Sequence, residues 1–158
     1  MEENQKLKIE DVLAEKGVYI GPTVGISMLP LLKNRRDTIV VRPKTERLKP
    51  LDVALYRRGE AYVLHRVLQP IEGGYLIRGD NCYADEIVPE QAVIGVLTEF
   101  FRKGKHIYCT DKAYLRYAKR RVKTYKPRRF FVRCKNLCKR ILKKILRIFF
   151  KKRKNGAA

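Results

Sequence analysis

Two residues of this chain have the chemical types of a nucleophile and its base. They are Ser27, in VGISMLP, and His65, in AYVLHRVLQP. A serine hydroxyl is a weak nucleophile until a neighbouring base takes its proton. An imidazole, with an ordinary pKa of about 6.5, suits that task at neutral pH. Acids follow in RGDNCYADE, where Asp80, Asp85 and Glu86 fall within seven residues. A carboxylate beside an imidazole orients the ring and stabilises its charged form. Each piece also has an ordinary reading. Ser27 sits before a turn limited by Pro30. His65 could be a buried, hydrogen-bonded strand residue. Gly79-Asp80-Asn81 makes a good hairpin end with solvated acids.

The elements that must position these residues are mostly strands. YIGPTVGIS, DTIVVRP, DVALYRR, AYVLHRVLQP, GYLIRG and AVIGVLTEF are short and rich in β-branched and aromatic residues. Arg58-Gly59-Glu60 and Glu72-Gly73-Gly74 read as hairpin turns. KGKHIYC reads as a further strand or a linker. Strand alternation puts His65 on the face opposite Leu64 and Arg66. A short helix is predicted over residues 8–16, with Ile9, Val12 and Leu13 on one face and Gly17 at its end. After residue 110 the period becomes helical. Leu115, Ala118, Val122 and Tyr125 share a face, and Pro127 is expected to end that helix. The fold class is therefore mainly β, a compact domain with a short N-terminal helix and a basic, α-helical C-terminal tail.

The chemical pieces occur in a telling order: SMLP at 27–30, LDVALY at 51–56, HRV at 65–67, GDN at 79–81 and IGVL at 94–97. Over roughly residues 20–100 this series resembles the signal peptidase family, which shares its catalytic fold with the self-cleaving SOS repressors. The resemblance implies a signal-peptidase-like β domain and a serine endopeptidase that acts on a peptide or preprotein without metal or cofactor. Ser27 is its nucleophile and His65 its base. His rather than Lys at this place resembles the archaeal and endoplasmic-reticulum branch. Aligned on that branch, Glu86 falls where the orienting acid sits. Asp80 ranks second, as the family's turn aspartate that pairs with Arg66, and Asp85 third. The resemblance also implies that an extended peptide pairs with the main chain of Thr23, Val24, Gly25 and Ile26, with Met28 beside it. The Ser27 N–H would donate to the oxyanion. Gly25 departs from the family here, because many members carry a second donor hydroxyl at that position. Neither the N-terminal anchor of signal peptidases nor the repressors' DNA-binding domain is recognisable. No Ala-Gly or Cys-Gly pair precedes the nucleophile, so self-cleavage is not expected.

Charge divides the 158 residues in two. Residues 111–158 carry 20 Lys/Arg against one acid, whereas 1–110 carry 17 against 15, and the whole chain is +21. The expected organisation is a peptidase domain over 1–110 and a basic helical tail over 111–158. From Cys134 to Lys151 a helical projection separates Leu137, Ile141, Leu142, Ile145, Leu146, Ile148 and Phe149 from a Lys/Arg face. That pattern fits a helix lying on an anionic membrane surface, with residues 130–153 in contact. Cys134 and Cys138 fall on the apolar side, where an acyl chain could be added. Docking on the domain and nucleic-acid binding are the other uses of such a tail. The charged first twenty residues do not match a secretory signal, and no run approaches the ~20 apolar residues of a membrane span. The four cysteines form no C-x-x-C pair and read as reduced thiols. The expected location is cytoplasmic, peripheral to the inner face of the membrane. A non-catalytic peptide- or nucleic-acid-binding module is the alternative.

Overall fold

A computed structural model describes residues 8–155, with side chains through residue 143. The N-terminal helix α1 (Ile9–Lys16) buries Leu13 and is capped by Gly17, whose N–H donates to the Leu13 carbonyl at 3.0 Å. Seven strands then follow in sequence: β1 (Tyr19–Pro22), β2 (Thr38–Pro43), β3 (Val53–Arg58), β4 (Ala61–Ile71), β5 (Gly74–Arg78), β6 (Glu86–Pro89) and β7 (Val93–Arg102). They join one antiparallel sheet in the order β1-β2-β7-β3-β4-β5-β6, and β8 (Lys105–Tyr108) pairs with β7. Both expected hairpin turns form, between β3 and β4 and between β4 and β5.

The sheet curls into a half-barrel. Its register slips at Val40/Val41, Leu55/Tyr56 and Val67/Gln69. Each slip adds local twist, which bends a sheet out of plane. The central strand β3 is buried on both sides. Val53 and Leu55 pack with Leu13, Met28, Leu32 and Phe100, whereas Ala54 and Tyr56 pack with Val63, Val67, Tyr75 and Ile77. The β4 register carries the same alternation onward. His65 stands opposite Ala54 and Arg66 opposite Val53, so these neighbours face different cores.

Sequence expectations change at several points. The predicted strand over 19–27 ends at Pro22, because Thr23 turns into the loop over 33–37. Its N–H and hydroxyl both donate to the Asp37 carbonyl, and its carbonyl accepts from the Arg35 N–H. Strand β6 is not among the expected strands, yet Ile77 pairs with Glu86. The domain boundary also moves. The helix α2 (Lys112–Lys123) belongs to the β domain, and the first compact unit runs to Val122 rather than to residue 110. The predicted face is present, with Leu115 packed against the core and Ala118 fully buried, and Tyr114, Tyr117 and Arg121 widen it. Two tyrosine hydroxyls and a guanidinium find buried polar partners, which an apolar count overlooks.

The second unit holds α3 (Tyr125–Asn155). Pro127 does not end a helix. It sits in the first turn of α3, where a backbone N–H has no intrahelical partner to lose. Starting at Tyr125, α3 adds Phe130 and Phe131 to the apolar side, and both are exposed, as are Leu137, Ile141 and Leu142. Cys138 is exposed and Cys134 half-buried. The side chains of Ile145, Leu146, Ile148 and Phe149 lie outside the described residues. Among the described residues no helix is long and apolar enough to cross a membrane.

Candidate active site

Strands β3, β4 and β6 bring Tyr56, His65 and Glu86 together. Glu86 Oε1 lies 3.3 Å from His65 Nδ1. The Tyr56 hydroxyl lies 3.1 Å from the same nitrogen and donates to Glu86 Oε2 at 2.9 Å. A phenol has one proton, and an ionised carboxylate can only accept. Tyr56 therefore spends its proton on Glu86 and accepts from His65. It follows that Nδ1 carries the imidazole proton and Nε2 carries the lone pair.

Nε2 points away from this cluster, toward the turn that holds Ser27. Gly79 reports the proximity. A Cβ built there would meet the Ser27 carbonyl oxygen at 2.8 Å, His65 Nε2 at 2.9 Å and Cys82 Sγ at 2.7 Å. Only a residue without a side chain lets these three groups share one spot. The two turns are also joined directly. The Asn81 N–H donates to the Ser27 carbonyl at 2.7 Å, and Asn81 Nδ2 donates to the Ile26 carbonyl at 3.2 Å. Among the described residues, neither the Ser27 hydroxyl nor its N–H makes a hydrogen bond. Ser27 is half-buried and lines a cleft of about 590 Å³ together with His65, Glu86, Cys82, Tyr62 and Leu64.

The electrostatics favour a neutral imidazole. Burial lowers the His65 pKa below its ordinary value; Glu86 raises it, Arg58 lowers it and Asp80 raises it, and burial prevails. Burial and then Glu86 push the Tyr56 phenol above its usual range, so it stays protonated. Burial also raises the Cys82 thiol, which keeps it neutral beside the ring. Arg58 Nη1 sits 3.0 Å from Glu86 Oε2 at the exposed edge and holds the carboxylate from outside.

The three candidate acids have separate partners. Asp80 is engaged bidentately by Arg66, from Nε to Oδ1 and from Nη2 to Oδ2, both at 2.8 Å. It also accepts from the Tyr117 hydroxyl at 3.0 Å. Asp85 accepts from Arg78 Nη1 at 2.8 Å. Glu86 is the acid at the imidazole. Asp80, expected second, bears on His65 through its charge, while its oxygens hold Arg66.

The substrate-side residues divide as well. Thr23 is buried and its main chain is already paired, so it is corrected from a peptide-pairing residue to a structural one. Met28 lines the cleft and is at the same time buried in the core. Val24 and Ile26 are exposed at the cleft rim, and the Val24 N–H and carbonyl are unpaired among the described residues. The Gly25 N–H is held by Asn34 Oδ1 at 2.9 Å, and its φ of +98° is a left-handed conformation that a hydroxyl-bearing residue would adopt only with strain. That backbone explains the missing hydroxyl.

No protein-family model matches the chain, and no curated protein matches it.

Sequence reasoning missed Tyr56. Its signal was a lone phenol ending the aliphatic stretch Val53-Ala54-Leu55. Two positions beyond Ala54, which faces His65, it lies on the imidazole side of β3. No group of His, Cys, Asp and Glu suited to holding a metal ion occurs among the described residues.

Proposed function

We propose that this protein is a serine endopeptidase similar to the signal peptidases, with Ser27 as nucleophile, His65 as base and Glu86 as the orienting acid. The observation that carries the reading is the imidazole's polarity. Nδ1–H is anchored by Glu86 and Tyr56, which leaves the Nε2 lone pair facing the cleft and the Ser27 turn. His65 takes the Ser27 proton as Oγ attacks a peptide carbonyl, and returns it to the leaving amine. The Ser27 N–H donates to the oxyanion. The peptide lies along Val24–Ile26, with the apolar cleft receiving its side chains.

A fluorophosphonate probe tests the chemistry without a known substrate. It is expected to modify Ser27 in the full-length protein. Ser27→Ala abolishes the adduct, and His65→Ala lowers the labelling rate by roughly 10²–10⁴-fold. Intact-mass spectrometry reads the adduct. An unmodified wild type, or equal labelling of the His65 variant, overturns the reading in favour of a non-catalytic binding module.

The tail is proposed to hold the enzyme at an anionic membrane surface, on the cytoplasmic side. Its support is α3, with exposed Phe130, Phe131, Leu137, Ile141 and Leu142 along a helix that is otherwise rich in Lys and Arg. Co-sedimentation with phosphatidylglycerol vesicles should exceed that with phosphatidylcholine vesicles by more than tenfold and fall with added salt. Failure to bind either vesicle, together with tight and salt-sensitive DNA binding, would assign the tail to nucleic acid.

A further inference from the structure

Helix α2 carries an arginine that touches both halves of the candidate site. Arg121 Nε donates to the Asp80 carbonyl at 2.8 Å, and its Nη2 donates to the Leu29 carbonyl at 3.2 Å. Leu29 lies two residues after Ser27, and Asp80 directly follows Gly79, which packs against His65 Nε2. One guanidinium thus bridges the nucleophile turn and the turn beside the base. We infer that Arg121 is a positioning residue: it holds these two turns in register and so sets the reactivity of Ser27. The inference rests on the serine-peptidase reading.

Several features make the bridge specific. Neither turn is a strand, so no ladder of hydrogen bonds fixes their separation. Asn81 links them directly through two hydrogen bonds. Arg121 adds a rigid, planar fork that spans two carbonyls, which a lysine ammonium on its flexible stem cannot reproduce. The fork is itself aimed from a fixed base. Tyr114 and Tyr117 lie on the same face of α2, seven and four residues earlier. Their hydroxyls meet Arg66 and Asp80 in the domain interior. The helix is docked by its tyrosines, and the arginine acts at its far end. Nucleophile and base need a near-attack geometry, and a displacement of about 1 Å can cost roughly 10²-fold in rate.

The test compares wild type, Arg121→Ala and Arg121→Lys as full-length proteins. The second-order rate of fluorophosphonate labelling at Ser27 is expected to fall roughly 10- to 100-fold in both variants. Guanidinium ion at non-denaturing concentration should restore much of the rate in Arg121→Ala. Hydrogen exchange supplies a readout independent of chemistry. The Asn81 amide, bonded to the Ser27 carbonyl, should exchange roughly tenfold faster in Arg121→Ala, while amides of β3 and β4 keep their protection. Unchanged Asn81 exchange overturns the inference, as does a rate loss that guanidinium does not rescue and that tracks a global loss of protection. If wild type is not labelled at all, the peptidase reading fails. The exchange arm then still decides whether Arg121 holds the two turns, and the link to reactivity falls.

Discussion

Asp80→Ala is expected to destabilise the protein by about 3–5 kcal/mol, because it strands a buried guanidinium. The Arg66 and Asp80 side chains are 1% and 2% exposed. Removing the carboxylate leaves Arg66 with the Leu51 carbonyl and the Tyr114 hydroxyl, at 2.8 and 3.1 Å, but without a counter-charge. Neutralising Arg66 instead is not open to the protein, since a guanidinium does not give up its proton in proteins even when buried. A whole domain is stable by only about 5–15 kcal/mol, so the loss is a large share. Urea unfolding at neutral pH measures it. The double variant Arg66→Met/Asp80→Leu should recover part of the loss, because paired burial of charge is no better than apolar packing once both ions are gone. Recovery stays partial, as Tyr117 and Tyr114 lose their hydroxyl partners. A loss below about 1 kcal/mol would mean that the pair behaves as a solvated surface bridge.

Glu86→Gln is expected to lower the rate at Ser27 by roughly 10²–10⁴-fold at neutral pH. The fold is expected to suffer less, for Glu86 is partly exposed beside Arg58. An amide can donate to Nδ1, which would move the imidazole proton to Nε2 and remove the base. The pH profile separates this from simple misfolding. Burial lowers the His65 pKa and Glu86 opposes it. Without the carboxylate the pKa drops further below about 6.5. The remaining activity then persists to lower pH than in wild type, while its plateau is reduced. Tyr56→Phe keeps the carboxylate and removes one acceptor, so its loss should be nearer tenfold, about the worth of one hydrogen bond. Labelling rates from about pH 4 to 8 resolve the three proteins. An acid limb that moves upward in Glu86→Gln, or a loss no larger than that of Tyr56→Phe, removes Glu86 from the orienting role.

Much of this architecture was legible from local pattern. The β-branched runs, the hairpin turns after Arg58 and Ile71, and Gly17 at the end of α1 each follow from short-range backbone preference. Alternation along AYVLHRVLQP was enough to send His65 and Arg66 to opposite faces. The strand β6 was harder, because Glu86–Pro89 is short and begins among turn acids. Helix α2 was misplaced for a different reason. Its basic composition matches the tail, while Tyr114, Tyr117 and Arg121 on its inward face find their polar partners only in the folded domain.

The sequence by itself determined the inventory: a serine before a proline turn, a histidine in an alternating strand, three neighbouring acids, and a basic amphipathic tail. Which acid meets the imidazole was decided only by tertiary structure. Asp80, Asp85 and Glu86 are close in sequence, yet the turn over 79–82 and the pairing of Ile77 with Glu86 send them to Arg66, Arg78 and His65. The tautomer of His65 was decided the same way, by a phenol from β3 that no spacing within β4 could announce. Local periodicity specifies which face a residue takes on its own strand. Partners come from register between strands and from loops closed by distant carbonyls, and those are properties of the whole folded chain.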